Sequence, residues 1–473
     1  MKKSHLALFA LVVGVALAAV GWSAVDDAVI VVDPKKTYQT MKGWEVYATL
    51  WEQDKPQDRY DGSWLEFSEE IFSRLVNELG IDRVRIEIRS GAENPVDYWT
   101  PFEQGKIGYE KSKSHRYENI NDNDDPNSLN ESGFQFAELD YRVERILLPI
   151  KRLVEANGEK LFVNLCYVDF GKSTRWKGNL SHARQPLEYA ELIHVTFEHL
   201  KRKYGIVPDA LEIVLEPENS EDWRGREIGA AMVAAAKRLN QAGFRPAIIA
   251  PSVTRAYNAA EYIDEMMEIP GTREVVSTFS YHRYEWGVAR RSLEQIAERA
   301  KRFGVETAML EHLSGDAAEL HSDLTEVNVS AWQQFGIAFR MLPGLVDKGG
   351  YHYLVDIDKR QVTMASRTAA LAQYFKFVRA GAVRIDAASN RADKKAVAFK
   401  NVNGAHVVIV QATRGGTISV AGLPAGSYGI RYTTAEETAR ELAPASVNTG
   451  QALTTRLPAG GVITMYQKPP SKP

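Results

Sequence analysis

The chain has little cysteine, little net charge and no pattern typical of a metal site. Cys166 is its only cysteine among 473 residues, so no disulfide can form within one chain. With 58 basic and 61 acidic side chains, the net charge of −3 offers no footprint for nucleic acid and no polybasic patch for a membrane surface. No histidine or cysteine spacing suggests a metal ligand set. We therefore expect no nucleic-acid partner, no bound metal and no cofactor.

Long apolar runs are confined to the N-terminus. Lys2 and Lys3 precede an apolar stretch over residues 6–20, followed by small residues, which is typical of a secretory signal cleaved after Ala24. An uncleaved membrane anchor is the alternative. No later segment has the 18 consecutive apolar residues of a membrane-spanning helix. The prediction is a signal peptide over residues 1–24 and a secreted or periplasmic monomer without stable membrane insertion.

The composition is that of a large globular protein. Apolar residues make up 44% of the chain and charged residues 25%, as in ordinary folded domains. The length allows one large domain with a satellite, or two to three ordinary domains. Cys166 lies in an apolar run over residues 161–167, so we interpret it as a small core residue rather than a nucleophile.

From residue 41 onward, short apolar stretches alternate with stretches of helical periodicity. Predicted strands cover 41–47, 83–89, 161–167, 211–215, 246–250, 275–281, 307–310 and 350–355. Predicted helices cover 63–79, 139–156, 186–204, 225–241, 259–267, 292–303, 327–345 and 366–379. Such alternation favours a parallel sheet with right-handed crossovers. Eight units predict an α/β fold, a (β/α)8 TIM barrel over residues 41–380. A doubly wound open sheet is the alternative, but no glycine-rich phosphate loop follows the first strand.

The amino-acid composition and pattern change after the last predicted helix. Residues 381–467 are rich in Val, Ile, Thr and Gly, with short alternating runs separated by turn residues, which predicts a small all-β sandwich. The early apolar run over residues 28–32 has no place in a barrel. We expect the N-terminal segment 25–40 to supply a strand to this sandwich, and residues 468–473 to form a disordered tail.

One connection is unusually long. Residues 90–138 link the second predicted strand to the next helix, far beyond the usual length of such a loop. In a barrel this segment would lie on the C-terminal face, so we interpret it as a wall of the substrate cleft. Its acidic run, residues 119–125, lacks the glycine and the terminal glutamate of a recognisable calcium loop and is interpreted as a solvated loop.

Two glutamates end two of the predicted strands. Glu216 follows the apolar run 211–215 and precedes Pro217, which cannot continue a sheet ladder. Glu311 ends the run 307–310. In a barrel both belong to the C-terminal face, where catalytic groups sit. A carboxylic acid and a carboxylate facing one another suit hydrolysis of a glycosidic bond, one as proton donor and one as nucleophile.

These residues resemble a known group of enzymes. The chain is similar to clan A glycoside hydrolases, and most similar to glycoside hydrolase family 30, over about residues 28–467. In that clan a glutamate before a proline ends the fourth strand as acid/base, matching Glu216 and Pro217, and a glutamate ends the seventh as nucleophile, matching Glu311. The family's side sandwich also takes strands from both ends of the chain, and residues 374–385 resemble its link from the last helix.

The resemblance extends to residues that would bind substrate. The clan's strand-two arginine falls on Arg85, and its strand-six histidine and tyrosine fall on His282 and Tyr284. One position departs: where the clan has an asparagine that contacts the sugar 2-hydroxyl, this chain has Leu215. Asn219 and Asn164 are candidates to supply that contact.

Aromatic residues near predicted strand ends complete the expected site. Five of them could line a sugar subsite or pack at the barrel rim: Trp44, Tyr167, Trp223, Tyr281 and Tyr351. Glu218 is an alternative acid/base, but Glu216 directly ends the apolar run.

Together these features predict a secreted retaining glycoside hydrolase that cleaves β-linked oligo- or polysaccharides by a two-glutamate double displacement. Two alternatives stay open. One is a catalytically impaired carbohydrate-binding barrel, suggested by Leu215. The other is a clan A hydrolase of another family, whose barrel would lack a side sandwich built from both termini.

Overall fold

The structure, a computed structural model, describes residues 27–170, 181–220, 222–285, 287, 289–341 and 349–468. The expected signal peptide and residues 469–473 of the expected tail lie outside the described residues. The chain divides into two units: Lys42–Thr368, and Met1–Met41 with Ala369–Pro473, as far as these are described. Within the described ranges, no helix has the length and apolar character needed to cross a membrane.

The larger unit contains a closed barrel of eight parallel strands. In chain order the barrel strands are Gly43–Tyr47, Arg83–Arg89, Phe162–Val168, Ala210–Glu212, Ala247–Val253, Val276–His282, Glu306–Glu311 and Val329–Arg340. The ring closes because the eighth strand pairs with both the seventh and the first. The predicted (β/α)8 fold is therefore confirmed.

Helices connect these strands. The α-helices are Ser68–Arg74, Trp99–Glu103, Tyr109–Lys113, Ala137–Arg142, Leu148–Ala156, Pro186–Tyr204, Gly225–Gln241, Ala256–Met267, Thr272–Val275, Arg290–Phe303, Ala317–Ser322 and Ser366–Phe375. Shorter 3-10 turns cover Ser63–Phe67, Ser90–Ala92, Glu131–Gly133 and Pro217–Asn219, and π turns cover Leu75–Leu79, Val143–Leu147 and Asp323–Val327. Gly80 follows the first connecting helix with a φ of +94°, a conformation that glycine adopts without steric cost.

The predicted helix over residues 327–345 is wrong. Its described part is the eighth barrel strand, Val329–Arg340, whose first six residues are all buried. A parallel strand covered on both faces has no alternation of polar and apolar positions, so its periodicity resembles that of a buried helix. The strand predicted over residues 350–355 exists as Tyr351–Asp356, but among the described strands it pairs only with the end of the eighth strand and with Gln361–Met364, outside the ring.

Polar side chains occupy part of the barrel interior. Arg83 Nε donates to Glu45 Oε2 at 3.0 Å, and Asn164 Nδ2 donates to Glu212 Oε2 at 2.8 Å. Ser252 Oγ donates to the other oxygen of Glu212 at 2.5 Å. All five side chains are buried, so these partners provide the hydrogen bonds that buried polar groups require. Asn164 is thereby held within the interior network.

The smaller unit is a nine-stranded, mostly antiparallel sheet folded as a sandwich. Its strands are Ala28–Thr40, Val383–Ser389, Lys394–Lys400, His406–Ala412, Gly416–Ala421, Gly426–Thr434, Arg440–Val447, Leu453–Leu457 and Gly461–Gln467. The N-terminal strand pairs antiparallel with Val383–Ser389 and parallel with Gly416–Ala421. The prediction that the N-terminus joins the C-terminal sandwich is confirmed. A separate short hairpin in the larger unit pairs Gln53–Asp54 with Arg59–Tyr60.

Candidate active site

A cavity of about 480 Å³ opens among residues that lie in the barrel strands or just after them. Its lining is Tyr47, Arg85, Glu87, Arg89, Phe170, Leu215, Glu216, Thr254, Tyr284, Glu311, Leu313 and Phe335. Because the carboxyl ends of parallel strands meet on one face, residues distant in sequence converge there. Glu216 and Glu311, which the sequence predicted as a pair, both line this cavity.

Glu216 lies just beyond the fourth barrel strand. The regular strand ends at Glu212, but the chain continues along its neighbours: Leu215 N donates to Tyr167 O at 2.9 Å, and Glu216 N donates to Ser252 O at 3.0 Å. Glu216 itself has a φ of +45°, a left-handed conformation that is unfavourable for a residue with a side chain. Pro217, with its fixed φ, then begins a short 3-10 turn.

Two side chains hold the carboxylate of Glu216. Asn219 Nδ2 donates to its Oε2 at 2.7 Å, and His282 Nδ1 lies 3.0 Å from its Oε1. His282 is fully buried, and burial alone would lower its pKa. The hydrogen bond to Glu216 and the charges of Glu311 and Glu216 outweigh burial, so its pKa is raised above 6.5. His282 therefore keeps its proton to a higher pH than an ordinary imidazole does.

Glu311 ends the seventh barrel strand in a different environment. Arg85 Nη2 donates to Glu311 Oε2, and Tyr284 OH donates to Glu311 Oε1 at 2.8 Å. Arg85 is completely buried and also donates to Leu310 O at 3.3 Å, while its guanidinium lies 5.0 Å from the centre of the Tyr47 ring. The guanidinium is thus fixed against the carboxylate.

These neighbours control the charge of Glu311. Burial on its own would raise the pKa of this carboxyl group, but the positive charges of Arg85 and His282 and the hydrogen bonds from Arg85 and Tyr284 lower it below 4.5 overall. Burial and the charge of Glu311 raise the pKa of Tyr284, so the phenol keeps its proton and acts as a donor. The arrangement favours an ionised Glu311.

The two carboxylates lie close together across the cavity. One oxygen of Glu216, one of Glu311 and a ring nitrogen of His282 all lie within 4.8 Å of one another. Such a trio could in principle hold a metal ion. Arg85 places a fixed positive charge on Glu311, however, and that charge opposes a second cation at this position.

The alternative acid/base, Glu218, is engaged elsewhere. Its Oε2 accepts hydrogen bonds from Thr254 N at 2.8 Å and Thr254 Oγ1 at 3.0 Å, and its Oε1 accepts one from Asn258 Nδ2 at 3.0 Å. Glu218 is not among the residues that line the cavity. Its carboxylate therefore acts as a turn anchor in this geometry.

Leu215 contributes an apolar wall to the cavity. It is 5% exposed and packs with Cys166 and Val168, with Tyr117 and Phe170 against the same cluster. A leucine cannot donate a hydrogen bond to a sugar hydroxyl. Asn219, one of the two predicted substitutes, is instead committed to Glu216, and Asn164 to the interior network.

Four of the five aromatic residues expected at the sugar subsite are core residues. Trp44, Tyr167, Trp223 and Tyr281 are all fully buried, and none of them lines the cavity. The expectation for these four is corrected, because their position in sequence near a strand end did not reveal that they point into packed interior. Tyr167 OH pairs with His182 and Tyr281 OH with Asp323, as buried hydroxyls require.

The fifth aromatic residue, Tyr351, is half-buried and lines a second cavity of about 360 Å³. Its ring packs on Phe339 with centroids 5.0 Å apart, and on Phe335 at 5.7 Å. This cavity shares Tyr47 and Arg89 with the first, so the two are neighbours. Tyr109 and Arg116 of the long connection also line it, which places that connection at the cavity wall.

Sequence reasoning missed several lining residues. Arg85, Glu87 and Arg89 occupy every second position of one strand. The two-residue period of a strand could therefore have placed all three side chains on one face. Phe335 was missed because its segment was predicted to be a helix. Tyr47 ends the first barrel strand, and only its position there marked it as a candidate.

Comparison with known proteins rests on structure alone. No protein-family model matches the chain, and no curated protein matches it. The catalytic domain of a family 30 xylanase C from Talaromyces cellulolyticus superposes with a TM-score of 0.67 at 15% identity, covering 93% of this chain and 100% of that one. The fold is that of glycoside hydrolase family 30.

Two further structures share this family 30 fold. The family 30 subfamily 8 xylanase Xyn30A from Clostridium acetobutylicum gives a TM-score of 0.63 at 17% identity, covering 94% of this chain and 100% of that one. The endo-beta1,6-glucanase BT3312 gives 0.62 at 16% identity, covering 93% of each chain. The similarity spans both units, which agrees with the resemblance noted in the sequence.

Proposed function

We propose that this protein is a retaining glycoside hydrolase that cleaves β-linked glycans, with Glu311 as nucleophile and Glu216 as acid/base. The observation that carries the proposal is a pair of carboxylates within 4.8 Å of one another in a cavity, each in a different electrostatic environment. Retaining enzymes separate their carboxyl groups by about 5 to 5.5 Å, whereas inverting enzymes need about 6.5 to 9.5 Å to admit a water.

In the first step Glu311 attacks the anomeric carbon while Glu216 protonates the departing glycosidic oxygen. Arg85 and Tyr284 keep Glu311 ionised and hold both of its oxygens, so the carboxylate is oriented before substrate arrives. The anomeric carbon–oxygen bond breaks as the bond to Glu311 forms. Glu216, held by Asn219 and His282, delivers its proton to the leaving group.

In the second step Glu216 acts in reverse. Having lost its proton, it removes one from a water molecule that attacks the glycosyl–Glu311 ester. The sugar leaves with its original anomeric configuration, Glu311 is again a carboxylate, and Glu216 is again protonated. His282, whose pKa is raised by its contact with Glu216, stabilises Glu216 while it carries negative charge between the steps.

We propose that the aromatic and charged residues lining the cavity bind the carbohydrate. Tyr47 and Phe335 offer ring surface, and Glu87 and Arg89 offer hydrogen-bond partners for hydroxyl groups. Leu215 takes the place of a polar contact, so we propose that the sugar ring beside it is bound through apolar contact. Structures of similar fold include xylanases and an endo-beta1,6-glucanase, so xylan and β-1,6-glucan are the first substrates to test.

The test is hydrolysis of a panel of aryl β-glycosides, xylan and β-1,6-glucan, with product anomers followed by NMR. The first product formed should have the β configuration. Release of the α anomer first would contradict the retaining mechanism. An activity-based 2-fluoro glycosyl probe of the active sugar should label Glu311, and peptide mass spectrometry would identify the modified residue.

A carbohydrate-binding barrel without activity is the second candidate, favoured by the leucine at position 215. Under that alternative, a gel that contains the glycan would retard the wild-type protein, but the protein would release no sugar from any glycan. Leu215→Asn would then be expected to gain hydrolysis, since it restores a donor beside the cavity.

We also propose that the protein is exported, based on the charged and apolar pattern of residues 1–24. N-terminal sequencing of protein recovered outside the cytoplasm should begin after Ala24. Recovery of the protein with residues 1–24 intact in the membrane fraction would support the anchor alternative.

A further inference from the structure

A second group of carboxylates lies outside the cavity lining. Oxygens of Glu93, Asp122 and Glu188 all lie within 4.8 Å of one another. Glu191 lies one helical turn after Glu188, so it extends the same side of the helix. We call these four side chains the loop–helix acidic cluster. None of the four lines either cavity described above.

The fold brings this cluster together from distant parts of the chain. Glu93 follows the 3-10 turn after the second barrel strand, and Asp122 lies in the acidic run of the long connection. Glu188 and Glu191 lie near the start of the helix Pro186–Tyr204. The sequence-based interpretation of the acidic run as a solvated loop did not take account of these partners.

The cluster concentrates buried carboxyl groups. Glu93 and Glu191 are completely buried and Glu188 is 6% exposed. Arg238 Nη2 donates to Glu191 Oε1 at 3.2 Å. His182 lies between Tyr167 OH at 2.8 Å and Glu93 Oε2 at 2.7 Å, so both of its ring nitrogens have partners.

Three oxygens of the cluster are without a donor. Asp122 Oδ1, Glu188 Oε2 and Glu191 Oε2 are buried and have no hydrogen-bond partner among the described residues. Glu188 is more than nine-tenths buried and directs an oxygen into the group of three. A buried carboxylate oxygen that lacks a partner is costly, so either a proton or a positive group must lie between these oxygens, and a bound cation would displace the proton.

We propose that Glu93, Asp122 and Glu188 bind a divalent cation, for which Ca²⁺ is the best match. The available donors are carboxylate oxygens, which hard cations prefer. Ca²⁺ accepts an irregular oxygen set more readily than Mg²⁺, which demands near-octahedral geometry. Both ring nitrogens of His182 are already paired, so no nitrogen ligand is offered to zinc or another transition metal from that side chain.

The cation would fasten the long connection to the barrel. Asp122 N donates to Glu93 Oε1 at 3.4 Å, and Ile120 N donates to Glu93 O at 2.6 Å, so the two segments already touch at this point. A shared ion adds the helix Pro186–Tyr204 to that junction. The role is structural and is independent of the proposed hydrolysis.

The direct test uses the full-length protein treated with EDTA and then titrated with Ca²⁺ alone. Calorimetry should give one Ca²⁺ per chain, and the melting temperature should rise with Ca²⁺ and saturate. Mg²⁺ should bind more weakly. Absence of both heat and thermal shift at millimolar Ca²⁺ would overturn the proposal.

Matched variants localise the ion. Glu188→Gln should weaken Ca²⁺ binding by at least about tenfold, and Asp122→Asn should do the same. Asp124→Asn removes the same charge from an exposed position two residues away and should leave the affinity unchanged. Equal weakening by Asp124→Asn, or unchanged affinity in both cluster variants, would refute the site.

Two further measurements separate this cation site from the active site and test its charge balance. In EDTA, Glu188→Gln should melt at the same temperature as wild type or higher, because it relieves repulsion between carboxylates. A lower melting temperature would contradict the proposed charge balance.

Glu311→Gln should keep wild-type Ca²⁺ affinity, because the ion lies outside the proposed active site. Loss of binding in that variant would place the ion with Glu216 and Glu311 and overturn this assignment.

Discussion

Single side chains explain how two glutamates of one barrel come to differ. Glu311 is in contact with a buried guanidinium and a phenol, which lowers its pKa, whereas Glu216 is in contact with an amide and an imidazole. Under the proposed mechanism, the same residue type serves as nucleophile in one place and as proton donor in the other. Arg85 and His282 come from other strands, whereas Asn219 belongs to the turn that follows Glu216.

Replacing Glu216 tests the acid/base assignment. Glu216→Gln should lower kcat by roughly 10²- to 10⁴-fold on substrates with poor leaving groups, because general acid catalysis is lost. Aryl glycosides with good leaving groups should be affected less in the first step, and added azide should restore turnover. Glu218→Gln is the matched control, and a larger loss in that variant would reverse the assignment.

Arg85 should determine the acidic limb of the pH profile. Because the pKa of Glu311 is lowered below 4.5, the ionised nucleophile persists into acid, and kcat/KM should fall only below that value. Arg85→Met removes the charge and should move the acidic limb to higher pH. Arg85→Lys keeps the charge and should move the limb less. Identical limbs in wild type and Arg85→Met would show that Glu311 does not depend on this arginine.

At the level of elements, the strand that closes the barrel has the least recognisable sequence. The eighth strand is buried along both faces, and its neighbours, rather than its own pattern, determine its conformation.

The strand next to it, Tyr351–Asp356, carries His352, which is fully buried. Burial lowers the pKa of His352 to about 3.

This histidine predicts a pH dependence of stability. The folded-state pKa of His352 lies below the ordinary value of 6.5, so its stabilising contribution is complete above pH 6.5 and is lost as pH falls towards the folded pKa of about 3. The free-energy difference between wild type and His352→Gln should shrink by about 1.4 kcal/mol per pH unit over this range. Urea unfolding at pH 7, 6 and 5 would measure it, and a constant difference would contradict the prediction.

For the molecule as a whole, the two ends of the chain belong to one unit. The N-terminal strand lies between two C-terminal strands, and Ile30 belongs to the sandwich core. No disulfide is possible within the chain, so that core must be stabilised by packing. The N-terminal strand is therefore an integral part of the sandwich.

Matched alanine variants of that strand test its contribution. Ile30→Ala removes a fully buried side chain and should lower the free energy of unfolding of the smaller unit by about 2 to 5 kcal/mol. Val31→Ala, on the opposite face and only partly buried, should cost clearly less. Denaturant unfolding measures both, and equal losses would mean that the strand is not packed as described.

The sequence alone determined the first seven barrel strands and the long helices between them, the sandwich at the C-terminus and the two glutamates after apolar strands. These features are local, since periodicity, proline and turn residues act within a few positions. Only the tertiary structure decided that residues 329–340 close the barrel, because a strand covered on both faces carries no period of its own. It also decided which aromatic residues are buried, what surrounds Glu311, and that Asp122 meets Glu93 and Glu188. Those outcomes depend on contacts between residues far apart in the chain, which no local pattern encodes.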